Sequence, residues 1–194
     1  MTDERARARE CIDATVIRGG DIGEQAEAHG RYEIECIGAD GKLKWRETIE
    51  NIVCTVGKNL ALDTFLAGSA YTVTGPFIGL ISSTSWSAVS ASDTMTSHAG
   101  WLEAGGANVP TYSGNRPTVA WSAAASGTKA TSAAASFAIT ASGTVKGAFI
   151  VFGSGAVATK DNTAGTLWSA GTFAAGDKAV VSSDTLNVNY AASL

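Results

Sequence analysis

The stretch RYEIECIGADGKLKWRETIE, residues 31–50, decides the fold class. In its first half, Tyr32, Ile34 and Cys36 alternate with two glutamates, and this period of two is typical of a strand with one buried face. GADG, residues 38–41, ends in Asp-Gly, a dipeptide that favours a tight hairpin turn. The second half, KLKWRETIE, alternates in the same way. The sequence therefore predicts an antiparallel hairpin.

Farther along the chain, NIVCTV (51–56) predicts a more buried strand, and GKNLALDTFLAG (57–68) predicts one short helix that ends at Gly68. The apolar residues of that helix fall on one side: Leu60, Ala61, Phe65 and Leu66. Four features therefore follow one another from residue 31: strand, turn, strand and helix.

The rest of the chain predicts strands and loops with turn signals at intervals of roughly ten residues. The predicted strands are PFIGLIS (76–82), RPTVAWSAA (116–124), SFAITA (136–141), TVKGAFIVFG (144–153) and DTLNVNYAA (184–192). A long loop follows residue 82, with one helical turn that Asp93 caps, and the Ala/Ser-rich residues 122–136 predict a β-arm or loop. We expect a mainly β, antiparallel sandwich of jelly-roll-like architecture over residues 31–194.

Residues 1–30 are rich in charge and are interrupted by glycines. The few apolar residues there, Ile12, Val16, Ile17 and Ile22, form no sustained helical stripe. Two interpretations stay open: an extended arm that becomes ordered on another surface, or a short helix that packs on the domain itself.

Charge is distributed very unevenly along the sequence. Residues 1–50 carry 20 charged side chains, whereas the other 144 residues carry only 12. A soluble monomer covers its surface with more charge than that, roughly a quarter of its residues. The later region instead uses Ser, Thr, Ala, Gly and Asn, which suits packing against neighbouring subunits. With a net charge of −4, the chain offers no basic field for nucleic acid.

The three cysteines, Cys11, Cys36 and Cys54, are an odd number without close spacing, and we expect reduced thiols, no disulfide framework and no metal site. The charged start MTDERARARE predicts no signal peptide. The apolar runs are too short for a membrane span.

Candidates for catalysis are few. Asp93, His98 and Glu103 suggest a small hydrolase that uses a serine, but no G-x-S-x-G elbow accompanies them. VFGSGAVA (151–158) resembles the glycine-rich motif of dinucleotide-binding domains, but the residues after it do not predict the helix that such a site needs. We therefore expect a protein that is not an enzyme and has no cofactor.

Two groups of residues are better explained by structure or binding. Glu103 and Arg116 are two of the few late charges and flank aromatic, Gly- and Pro-rich turns, so we expect them to pair or to cap backbone groups at a buried corner. The five tryptophans, Trp45, Trp86, Trp101, Trp121 and Trp168, predict core or interface anchors, and an exposed indole is also a good sugar platform.

The order of five fragments resembles that of small virion structural proteins of tailed bacteriophages. The fragments are WRETIENIVCTVGKNLALDTFLAG (45–68), PFIGLIS (76–82), SASDTMTSHAGWLE (90–103), YSGNRPTVAW (112–121) and VKGAFI (145–150). The resemblance covers about residues 47–152, a little over half of the chain. It marks as fold-defining Asn51, Gly57, Asp93, His98, Trp101, Glu103, Arg116, Pro117 and Gly147, and it brings no catalytic residues.

The resemblance implies a head decoration (cement) protein on the outer surface of the capsid, assembled in the host cytoplasm. Its partners would be the major capsid protein, over which the charged arm would reach, and further copies of itself as a dimer or trimer; nucleic acid and membrane are not expected. A tail-tip or fibre-base component that binds host glycans is the alternative. Trp45 and Trp121 join the fold-defining residues as candidate structural or interface positions.

Overall fold

The computed structural model describes residues 27–66 and 74–193. These residues form one α-helix and eleven β-strands. The elements are β1 (His29–Ile37), β2 (Leu43–Val53), α1 (Thr55–Leu66), β3 (Phe77–Ser82), β4 (Glu103–Ala104), β5 (Thr111–Tyr112), β6 (Thr128–Ala130), β7 (Ala135–Ala141), β8 (Gly143–Phe152), β9 (Thr166–Thr172), β10 (Lys178–Val180) and β11 (Thr185–Ser193). Most of the predicted arm, residues 1–26, lies outside the described residues, and β1 begins at His29.

The predicted hairpin is confirmed. Strands β1 and β2 pair antiparallel, with Tyr32 opposite Ile49 and Cys36 opposite Trp45. The turn between them contains Gly41 at a φ of 76°, a left-handed conformation that glycine adopts without strain. NIVCTV does not form a separate strand, because β2 runs without interruption to Val53 and α1 begins at Thr55.

The strands form two antiparallel layers that share β2. The front sheet contains β2, β1, β11 and β7, with β5 and β6 at its margin. The rear sheet contains the end of β2, then β9, β8, β3 and β4, with β10 beside β8. A bridge between Gly105 and Thr111 nearly closes the two sheets into a barrel. The predicted fold class, a mainly β antiparallel sandwich with one helix, is confirmed.

The rear sheet is buried on both faces. Ile78 and Leu80 of β3 point into the core between the sheets, whereas Phe77 and Ile81 point to a second core on the opposite side. That second core is covered by the loop that follows β3, through Met95 and Trp101, and by Cys54 at the start of α1. Every residue of β3 is consequently buried, which explains why FIGLIS shows no alternation.

The predicted strands at 136–141 and 144–153 are confirmed as β7 and β8. They lie in different sheets, since after Ser142 the chain leaves the front sheet and enters the rear sheet. One predicted strand is wrong. Residues 116–124 form only isolated bridges at Thr118 and Trp121 instead of a strand. There the chain crosses from the edge of β3 to the Ala/Ser-rich hairpin that contains β6, so no single partner strand accompanies it.

One predicted detail of local structure is also wrong. The loop after β3 contains no helical turn at Asp93, and the Asp93 carboxylate instead accepts a hydrogen bond from Ser90 N–H at 2.9 Å, closing a short turn. The predicted helix is confirmed as α1, in which Ala61 and Leu66 are exposed and Gly57 packs on β9. The predicted stop at Gly68 lies outside the described residues.

Asp184 fastens the start of β11 to the neighbouring hairpin. Its buried carboxylate accepts hydrogen bonds from Lys44 Nζ at 2.7 Å and from Val181 N–H at 2.9 Å. Burial alone would raise the pKa of Asp184, but these hydrogen bonds outweigh it and hold the pKa below its usual value.

This shift makes part of the stability dependent on pH. Because the pKa of Asp184 is lower in the folded chain, its carboxylate stabilises the fold above the ordinary aspartate pKa of about 3.9, and the contribution is lost as pH falls through the folded-state pKa. Asp184→Asn should therefore unfold at a lower urea concentration than the parent protein at pH 7. The gap between the two unfolding midpoints should shrink towards pH 3. Asp177→Asn, at an exposed aspartate, should show a smaller gap at pH 7. A gap for Asp184→Asn that stays constant with pH would contradict this account.

Candidate functional site: a buried loop corner and an open sheet face

A buried ion pair lies at the corner where the loops behind the rear sheet meet. Arg116 donates from Nε to Glu103 Oε1 at 2.7 Å and from Nη2 to Glu103 Oε2 at 2.6 Å. Arg116 is 2% exposed and Glu103 is 5% exposed, so the pair is shielded from water on all sides. This two-pronged geometry is the strongest arrangement for an arginine and a carboxylate, and it is the pairing that the sequence predicted.

The same corner binds a third segment, the loop between β8 and β9. Arg116 also donates to the carbonyl oxygens of Val157 at 3.3 Å and Asn162 at 2.8 Å, and Glu103 Oε2 accepts from Asp161 N–H at 2.7 Å. The Asp161 carboxylate in turn accepts from Ala107 N–H at 2.8 Å. Sequence spacing does not indicate this contact, because nothing links Asp161 to a glutamate 58 positions earlier.

Asp93, His98 and Trp101 form a second cluster in the same loop layer. The Trp101 indole donates from Nε1 to Asp93 at 2.9 Å, and its ring lies 3.9 Å from the His98 ring in a stacked arrangement. His98 Nδ1 is 3.0 Å from the carbonyl oxygen of Trp101, so this nitrogen carries the proton and donates it. The three residues therefore hold the loop onto the second core, where Trp101 also contacts Phe149.

Asp93, His98 and Glu103, the residues of the hydrolase hypothesis, are all engaged in structural contacts. Each carboxylate is occupied by hydrogen bonds to structural partners, and His98 bonds to backbone and not to a serine. The pocket beside the corner has a volume of about 250 Å³, below the roughly 300–1,000 Å³ of small-molecule sites. Within residues 27–66 and 74–193, no three His, Cys, Asp or Glu side chains are grouped to hold a metal ion.

The other large feature is the outward face of the front sheet, which we call the front face. Unlike the rear sheet, it has no described layer over it, and Ser136, Ala138 and Thr140 of β7 are exposed along it. The neighbouring strand β11 adds Asn187 and Asn189, both half-buried. This half of the front face carries no charge, and its side chains are short, so a partner that covers it would lose little side-chain entropy.

The other half of the front face is charged, and Arg46 is paired within it. Strands β1 and β2 place Arg46 beside two glutamates: its Nε donates to Glu35 at 2.7 Å and lies 3.4 Å from Glu33. In the strand register, Glu35 is adjacent to Asn187, and Asn187 to Ser136. The front face therefore changes from paired charges to neutral amides, hydroxyls and methyl groups within three strands.

The remaining predicted positions lie elsewhere in the sandwich. Trp45 packs edge-on against Phe173 with ring centroids 5.7 Å apart, and Trp121 packs edge-on against Tyr190. A Cβ on Gly57 would lie 2.9 Å from the carbonyl oxygen of Trp168, so glycine is needed for α1 to approach β9.

Pro117 contacts β3 through its backbone carbonyl oxygen, which accepts a hydrogen bond from Ile78 N–H at 3.1 Å. The structure therefore brings Asp93, His98, Trp101, Glu103, Arg116 and Pro117 together behind the rear sheet and separates Trp45, Asn51, Gly57 and Trp121 from them.

One polar network inside the sandwich escaped the sequence analysis. The Tyr190 hydroxyl accepts from Asn51 Nδ2 at 2.9 Å and from Trp168 Nε1 at 2.8 Å, and the Tyr32 hydroxyl lies 2.7 Å from Ser169 Oγ. Burial raises the pKa of Tyr32 and Tyr190, which keeps both phenols protonated. Alternation predicted that Tyr32 points inward, but only the meeting of the sheets supplies the partners of both tyrosines.

Comparison with family models, with characterised proteins and with solved structures finds no match for this chain. Among the described residues, no helix is long and apolar enough to cross a membrane.

The ion pair gives a stability prediction. Arg116→Ala leaves the Glu103 carboxylate buried without its cation, so it should lower the free energy of unfolding by about 3–5 kcal/mol in urea denaturation. Arg116→Met/Glu103→Leu removes both charges and should lose less than the sum of the two single alanine variants. Lys42→Ala, at a surface pair whose nitrogen and oxygen are 3.7 Å apart, should stay within about 0.5 kcal/mol of the parent. An Arg116→Ala loss no larger than that of Lys42→Ala would contradict the role of the corner.

Proposed function

We propose that this chain is a non-enzymatic structural protein of a tailed-bacteriophage virion, and specifically a decoration protein that binds the major capsid protein lattice and stabilises the head. The observation that carries the proposal is the front face, whose β11–β7 half is open, uncharged and built of short side chains. A face of this kind suits repeated contact with neighbouring subunits. The resemblance of residues 47–152 to virion structural proteins supplies the biological setting.

The arrangement of the polar residues agrees with a structural role. The acids and the histidine that a hydrolase would need are used to hold the loop layer, as described above. A decoration protein stabilises a head by burying surface area at the contacts between neighbouring capsomers, which requires no catalytic residue. Contacts of roughly 1,000 Å² each become strong when one subunit makes several of them on a lattice.

The glycan-binding alternative, at the tail tip or fibre base, depends on an exposed indole. Trp101 is buried, and Trp45, Trp86, Trp121 and Trp168 are half-buried, so none of the five is fully exposed. The structure thus offers this alternative less support than it offers a lattice contact, and copy number separates a tail part from a head part.

The first test is occupancy of the particle. Quantitative mass spectrometry of native virions should find this chain in a copy number comparable to that of the major capsid protein. Heads that lack it should lose their DNA at a lower temperature than complete heads. A copy number that matches a single vertex or the tail would overturn the capsid assignment.

The second test concerns the front face itself. Ala138→Asp places a charge in the middle of its neutral half and should reduce binding to heads at least tenfold, because the carboxylate would be desolvated at the contact. Ala175→Asp is the matched control, since Ala175 is also exposed but lies between β9 and β10. Unfolding in urea should show that both variants remain folded. Equal binding of the two variants would remove the front face from the proposal.

A further inference from the structure

A small pocket opens beside the buried pair of Glu103 and Arg116. Its volume is about 250 Å³, which corresponds to the space of about eight water molecules at roughly 30 Å³ each. Its rim is exposed at Ala107, Asp161 and Thr163, whereas its inner wall is apolar and buried. That wall is formed by Met95, Trp101 and Phe149. The pocket therefore has room for one side chain that enters from outside.

Three hydrogen-bond acceptors of the lining are unused. His98 Nδ1 donates its proton to a backbone carbonyl oxygen, so Nε2 of the neutral ring is an acceptor. Asn108 donates from Nδ2 to the carbonyl oxygen of Glu103 at 3.0 Å, which leaves its Oδ1 as an acceptor. The Asp161 carboxylate accepts from Ala107 N–H with Oδ2, so its Oδ1 remains. None of these three atoms has a hydrogen-bond partner among the described residues.

The donors of the lining are mostly used. Arg116 directs four hydrogen bonds to Glu103 and to two backbone carbonyl oxygens, out of the five N–H groups of a guanidinium. The donors left on side chains of the described lining are the Asn162 amide nitrogen and the Thr163 hydroxyl, together with the fifth N–H of the buried Arg116. Acceptors therefore dominate the accessible part of the pocket.

The charge around the pocket is negative. The charged side chains of the two surrounding segments, residues 83–117 and 153–165, are three carboxylates and two cations: Asp93, Glu103, Asp161, Arg116 and Lys160. Arg116 neutralises Glu103, and Lys160 donates to the carbonyl oxygen of Tyr112 at 2.8 Å. Asp161 forms no ion pair with any residue that the structure describes. The rim therefore carries a negative charge that no cation of this chain contacts.

These properties select a ligand with an apolar stem and a cationic head. An ammonium group carries three N–H donors and no acceptor, which matches three free acceptors and one unpaired carboxylate. A lysine side chain places that group on a flexible four-carbon stem, and such stems pack along apolar surface while the charge stays at a polar site. We propose that this pocket binds a lysine side chain of a partner protein, with the ammonium group at Asp161, Asn108 and His98. This goes beyond the capsid function and holds whether or not the chain belongs to a virion.

The buried ion pair prepares the pocket for this ligand. Glu103 Oε2 accepts from Asp161 N–H at 2.7 Å, and Arg116 donates to the Asn162 carbonyl oxygen at 2.8 Å. The Asp161 carboxylate in turn holds the backbone of Ala107 at the opposite rim. Because these contacts already fix both sides of the pocket, the ligand does not have to order the loops when it binds.

Nα-acetyl-lysine methylamide is a direct probe of the full chain, and the corresponding norleucine derivative keeps an apolar stem without the ammonium group. In amide NMR spectra, the lysine probe should cause saturable shifts at residues 107–108 and 161–163, with a dissociation constant in the millimolar range. The norleucine probe should bind at least tenfold more weakly, because it makes no charged hydrogen bond. Equal binding of the two probes, or no saturable shift with the lysine probe, would overturn the proposal.

Two substitutions change the charge of the rim in opposite directions. Asp161→Asn keeps an oxygen for Ala107 N–H and should weaken binding of the lysine probe at least tenfold, because the carboxylate charge is lost. Asn162→Asp keeps the oxygen that accepts from Ala164 N–H, adds a carboxylate, and should tighten binding at least threefold.

Asp177→Asn is the matched control, since Asp177 is also exposed but lies between β9 and β10, and it should leave binding unchanged. Unfolding in urea should show that the variants remain folded. A folded Asp161→Asn variant that binds the lysine probe as the parent does, or an Asn162→Asp variant that binds it no more tightly, would contradict a lysine site at this rim.

Discussion

Three loops behind the rear sheet are held by one buried ion pair between Glu103 and Arg116. Neither residue has water to replace its partner, so a loop that moved away would leave a charge or a carbonyl group unsatisfied in an apolar setting. The loops therefore stay in place although they contain little secondary structure of their own. The guanidinium also lies 5.4 Å from the centre of the Phe149 ring, which joins the charged corner to the second core.

Fixing these loops determines which surface the protein shows. The loop layer covers the rear sheet through Met95 and Trp101, so the front sheet is the layer whose outer face stays open in the described chain. On that face Arg46 of β2 pairs with Glu33 and Glu35 of β1, and β11 and β7 present amides, hydroxyls and methyl groups. The β11–β7 half is therefore one regular part of the surface that is poor in charge. Such a surface is suited to repeated contacts with other subunits, the property on which the proposed capsid function depends.

Sequence reasoning succeeded where a local pattern reports a local environment. Alternation in residues 31–50 predicted the hairpin, and the isolation of Glu103 and Arg116 among neutral residues predicted their pairing. It failed for β9, because TLWSAGT is buried on both sides of the rear sheet and shows no clear period of two. It also gave no orientation for α1, which packs on β9 through the close approach of Gly57 to Trp168 and leaves Leu62 and Leu66 exposed.

The sequence by itself determined the class of fold, the inward set of residues on β1, and a surface poor in charge. Those features depend on neighbours within a few positions of the chain, which a period of two or a count of charges records directly. Only the tertiary structure decided that β7 and β8 belong to different sheets and that Asp161 N–H donates a hydrogen bond to Glu103. It also decided which face of the sandwich stays open. Each of these depends on which strands and loops come together across the barrel, and closure of the sheet is set by the packing of the whole core rather than by the spacing of residues along one segment.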